Sequence, residues 1–140
     1  KFAELKTKDI NLIKGIKAVD NDFLFIADLD MNRCVSQKKE AINKLLADQY
    51  NSDKTFIVVK EIESWYMAGL DEKDSKVFFG KDYRETNDIT KEFFSQHKKS
   101  EFGSDIDFKA EILKHFTIET ACRKNKSFKY FYTKFFKTED

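Results

Sequence analysis

Two apolar runs in this chain each lead directly into carboxylates, and the stretch between them is long enough for one helix. The first run is Phe23-Leu24-Phe25-Ile26-Ala27, followed by Asp28-Leu29-Asp30. The second is Phe56-Ile57-Val58-Val59, followed by Lys60-Glu61-Ile62-Glu63-Ser64-Trp65. Short, continuously apolar runs fit strands buried on both faces, as in a parallel sheet. Strand, helix and strand in that order imply a crossover unit with two neighbouring parallel strands. Their carboxyl ends then share one sheet edge, where open α/β sheets usually place ligands. Acids gathered there suit a hard divalent cation such as Mg2+.

The rest of the chain supports one α/β domain over residues 1–140, with a small, mostly parallel sheet and a helical C-terminal half. At 140 residues, roughly 68% of the unfolded surface can be buried, so a core is attainable without staples. An apolar share of 41%, with 15 Phe, is too high for a disordered chain. Residues 3–19 carry a helical stripe through Leu5, Ile10, Leu12, Ile13, Ile16 and Val19. Strands are expected over 23–28 and 55–59. Ser36 is placed to cap a helix reaching about Tyr50. A short helix over 61–69, closed by Gly69, has Ile62, Trp65, Tyr66 and Gly69 facing inward. Val77-Phe78-Phe79 reads as an edge strand or a buried turn. Further helices are expected from Asn87 or Asp88 to His97, from Asp105 or Asp107 with Phe108, Ile112, Leu113 and Phe116 inside, and from Ser127 onward.

Charge and cysteine content narrow the function classes. The formal net charge is only +1 although 36% of residues are charged, so any nucleic-acid surface has to be local. Cys34 and Cys122 lie too far apart for a zinc-ligand pattern or a disulfide framework, which favours free thiols in a reducing cytoplasm. No apolar run approaches the ~20 residues of a membrane span. Neither a Gly-rich phosphate loop nor a serine nucleophile elbow occurs.

The candidate chemistry lies in the acids. Asp28 and Asp30 are two apart at a strand end, so they point to one side and repel unless a cation, donor or proton intervenes. The structural alternative is that Asp28 caps the next turn and Asp30 is solvated. Glu61 and Glu63 fall in the first turn of a helix, where the positive end of the dipole favours acids for ordinary reasons. The two do not share a helix face, so at most one is expected to aim at the strand acids. Glu63 is the preferred one. A third feature is the basic, aromatic stretch in which Lys124, Lys126, Lys129, Lys134 and Lys137 interleave with Phe128, Tyr130, Phe131 and Tyr132. It reads either as phosphate contact with base stacking or, preferably, as an amphipathic helix with a Phe stripe in the core.

Three of these segments together resemble a known family. Ile57-Val58-Val59-Lys60-Glu61-Ile62-Glu63-Ser64-Trp65-Tyr66-Met67-Ala68-Gly69 is similar to the strand and Glu-Ile-Glu-x-Trp signature of an uncharacterised TOPRIM-like family related to OLD-type nucleases. Phe25–Asp30 resembles its Asp-x-Asp strand, and Ser127-Phe128-Lys129-Tyr130-Phe131 its terminal helix. The resemblance implies a TOPRIM/Rossmann-like fold that carries out Mg2+-dependent (or Mn2+-dependent) phosphodiester chemistry on DNA or RNA. Asp28, Asp30 and Glu63 would be the catalytic and metal-holding residues, with Glu61 a further metal candidate. The family's Glu-Gly motif after a first strand is missing before Asp28. The expectation is therefore either that such a strand lies upstream of Lys1, or that the chain is a catalytically inactive binding or regulatory module.

Overall fold

A computed structural model describes residues 2–30 and 32–137, with side chains from residue 7 onward, so the side chains of Glu4 and Leu5 lie outside the described residues. The chain divides into two compact units, Lys1–Ile57 and Val58–Asp140, with the boundary inside the second strand. Among the described residues, no helix is long and apolar enough to cross a membrane.

The first unit runs α1 (Phe2–Ala18), β1 (Phe25–Asp28), α2 (Val35–Leu46), a 3-10 turn (Ala47–Gln49) and β2 (Thr55–Val58). β1 and β2 pair as a two-stranded parallel sheet, with the Phe25 N–H donating to the Lys54 carbonyl at 2.7 Å. The expected strand–helix–strand order is therefore present. Lys38, Ile42 and Leu46 recur every four residues along α2 and form its buried stripe. Ile42 and Leu46 join Ile13 and Ile57 in the unit's core, flanked by Ile10, Phe23, Phe25 and Leu29. β2 is buried along its whole length. β1 is not, and Ile26 is 41% exposed.

The second unit is helical: α3 (Glu63–Ala68), α4 (Glu72–Phe79), α5 (Lys91–Gln96), α6 (Asp105–Leu113), α7 (Ile118–Lys124) and α8 (Lys126–Phe136). α3 is its hub and packs against α5, α6 and α7. Six residues make too short a helix to persist alone, so tertiary burial holds it. The apolar cluster joins Met67 and Leu70 to Phe78, Phe79, Phe94, Phe108 and Ile112. Its rings meet at angles rather than face to face, with centroids 5.1 Å apart for Phe94–Phe108 and 5.7 Å for Phe79–Phe94, as ring quadrupoles favour.

The expected strand or turn at Val77-Phe78-Phe79 is instead the last turn of α4. Asp71 caps that helix by accepting from the Asp74 N–H at 2.8 Å, and Gly80 ends it at φ 80°. These local stop and start signals outweigh the β-propensity of three residues. The N-caps are also displaced from the expected positions: Cys34, Ser104 and Asn125 sit one to three residues earlier, and Thr90 sits two to three residues later than Asn87 or Asp88. Thr90, Ser104 and Asn125 accept from Phe93, Asp107 and Phe128 N–H groups, while α2 starts after Cys34 with no side-chain cap. Ser36, Asp105 and Ser127 already lie inside first turns. Leu113, expected inside, is 52% exposed, whereas Phe108 and Ile112 are fully buried.

Candidate functional site

The strand acids belong to the first unit. β1 ends at Asp28, and Asp30 follows in the left-handed region at φ 51°, a conformation Asp tolerates better than most residues. The Asp30 carboxylate accepts from Lys38 Nζ at 2.5 Å. That lysine is 2% exposed, and it stands on the inward stripe of α2. A buried ammonium needs a partner, and Asp30 supplies it.

The helix acids belong to the second unit and are held as firmly. Glu63 is buried at the start of α3, and its Oε1 accepts from Lys109 Nζ of α6 at 2.6 Å. The same ammonium lies 5.4 Å from the Tyr66 ring centre and 5.7 Å from that of Phe94, within cation–π range. Glu61 accepts from the backbone N–H of Lys91, the first residue of α5. It thus satisfies one of the donors that every helix start leaves open.

A buried polar network surrounds the second motif. Asn125 caps α8 with its oxygen while its Nδ2 donates to Thr86 Oγ1 at 3.1 Å and to Ser64 Oγ at 3.3 Å. Lys124, 5% exposed, donates to the Leu70 carbonyl at 2.8 Å and to Asp82 at 2.9 Å. The Lys124 hydrogen bond holds the Asp82 carboxyl below its ordinary range against the opposing effect of burial. Ser127 Oγ accepts from the Val59 N–H at 3.2 Å. Trp65 packs against Phe128 and Phe131 of α8, with centroids 5.3 and 4.9 Å apart. The tryptophan signature and the terminal-helix signature therefore meet in one packing unit.

Sequence reading missed Lys38, Lys109, Asp82 and Asn125. For Lys38 a signal existed: it shares a four-residue spacing with Ile42 and Leu46, and a lysine in an inward register requires an anion within reach of its ammonium group. Lys109 carried no such signal, since its partner is 46 residues away. Among the described residues, no group of three or more His, Cys, Asp or Glu side chains is arranged to hold a metal ion. Comparison with protein-family models, curated proteins and solved structures found no match.

Proposed function

We propose that the chain is a TOPRIM-like module that binds nucleic acid without catalysing its cleavage. The observation that carries this reading is the Glu63–Lys109 pair. The carboxylate expected to complete a cation site is 5% exposed, faces an ammonium at 2.6 Å and sits inside a helical unit. Asp30 is likewise engaged by a buried lysine. A divalent cation would have to displace the ammonium group that each carboxylate already holds, at a cost in charge pairing. Two free thiols, Cys34 and Cys122, are in keeping with work in a reducing cytoplasm.

The second reading, an Mg2+- or Mn2+-dependent nuclease, draws on β1. That strand delivers Asp28 and Asp30 at the carboxyl edge of a parallel pair. In this reading Asp28, Asp30 and Glu63 hold the cation, aided by Glu61, and the cation supplies charge neutralisation at the phosphodiester.

One experiment separates the two. Labelled DNA and RNA are incubated with the protein in Mg2+ or Mn2+ and in chelator. The module reading expects intact substrate and the same binding in both buffers, unchanged in Asp28→Ala. Metal-dependent cleavage lost in Asp28→Ala would establish the nuclease instead. Thermal melting gives an independent readout: a bound cation raises Tm by linkage, and the module reading expects no shift with millimolar Mg2+.

A further inference from the structure

We propose that the solvent face of α8 is a binding surface for single-stranded nucleic acid, with lysines taking the phosphates and Tyr130 stacking on a base. The inference rests on the nucleic-acid reading above and gives it a location and a substrate class. The structure splits the basic, aromatic stretch into two halves with different roles. Lys124 is buried against Asp82 and the Leu70 carbonyl, and Phe128 and Phe131 are buried against Trp65. Lys126, Lys129, Lys134 and Lys137 are all exposed. At 100° per residue, positions 126, 130, 133 and 134 form one continuous strip, with 129 along its border and Lys137 following as the C-cap.

Two features favour a single strand as the occupant. First, α8 contains no acid, so positive charge along the strip is not neutralised within the helix; the preceding α7 brings one acid in its first turn, Glu119. Second, Tyr130 is 63% exposed in the middle of the lysines. An exposed ring amid cations offers an unstacked base a π-face, which a duplex keeps inside its own stack.

The test is fluorescence anisotropy with a labelled 12-mer of oligo(dT) in chelator, over a salt series, on the full chain. Four phosphate contacts predict a log–log salt slope of about −3. Lys129→Ala and Lys134→Ala should each flatten it by about 0.7. Tyr130→Ala should weaken binding about tenfold, and Tyr130→Phe should keep it. Lys129 and Lys134 are exposed, so their variants should melt like the wild type; melting of the Tyr130 variants is measured beside binding, and the comparison is made under conditions where each is folded. Wild-type binding that all the variants retain, with an unchanged slope, removes α8 as the surface and leaves the nucleic-acid reading standing. No binding to single-stranded or duplex DNA or RNA at low salt overturns both. Tighter binding to a duplex of the same length, or binding to phosphatidylserine vesicles with none to the oligonucleotide, overturns the assignment of the face.

Discussion

Glu63 shows how a residue type that suggests chemistry can serve structure. Its carboxylate is withdrawn from water against the partly exposed Lys109 ammonium, so removing the lysine leaves a buried charge uncompensated. Lys109→Met should lower unfolding free energy by about 3 kcal/mol, at the low end for buried pairs because the lysine is partly exposed. Adding Glu63→Met should recover most of that loss, since apolar replacement of a whole buried pair is often neutral. Urea unfolding of the single and double variants measures both values, and a double variant as unstable as the single one would contradict the structural assignment. Asp82 carries a pH signature. Its folded-state pKa is depressed by Lys124, so its contribution is complete above the ordinary Asp value of about 3.9 and disappears as pH falls through the lower folded value. Stability should drop from about pH 5 downward, and Asp82→Asn should flatten that drop. An unaltered acid profile in the variant would show that the Lys124 contact is energetically idle. The acids themselves were legible as Asp-x-Asp and Glu-x-Glu patterns. Lys109 was not, because nothing local in a sequence links positions 46 residues apart, whereas Lys38, eight residues from Asp30, left the trace of its register with Ile42 and Leu46.

The elements are held by a few contacts that substitution can isolate. Phe131 closes over Trp65, so Phe131→Ala should cost about 3–5 kcal/mol, the range for emptying a buried ring site. Gly69 has φ −74°, so it is not required for handedness. A Cβ there would fall 2.0 Å from the Phe116 ring, and it is this close approach that demands glycine. Gly69→Ala should therefore destabilise by about 1–3 kcal/mol through overpacking. Phe116→Ala should relieve part of that cost, and additive losses on chemical denaturation would show that the ring is not the obstacle. At this scale the helices with a clear apolar stripe, α1, α2, α6 and α8, were readable from periodicity, and so were both strands. α4 was misread because its three apolar residues have strand-like composition and its register depends on the Asp71 and Gly80 signals at its ends. α7, unassigned from sequence, hides its inward face as Thr120, Ala121 and Lys124, which carry almost no apolar signal.

At the scale of the whole chain, the two units differ in how much apolar surface they bury. The first relies on Ile13, Ile42, Leu46 and Ile57, and the outward side of β1 remains wet at Ile26. The second encloses a dense aromatic cluster around Phe94 and Phe108, both essentially inaccessible to solvent, together with the Trp65 packing unit. Each fully buried large apolar side chain contributes ~1.5–3 kcal/mol. The second unit therefore has the larger reserve against opening, since local stability follows buried apolar contact. Native-state hydrogen exchange should show amides of α2 and β1 opening at lower free energy, and at lower denaturant, than those of α3, α6 and α8. A separate low-energy group confined to residues 1–57 is the expected pattern. The Asp30–Lys38 pair lies in that weaker unit and the Glu63–Lys109 pair in the stronger one. Lys38→Met should thus shift only the low-energy group, and Lys109→Met should lower the global unfolding limit. One common opening energy for all these amides, moved equally by either substitution, would mean that the boundary inside β2 has no thermodynamic counterpart.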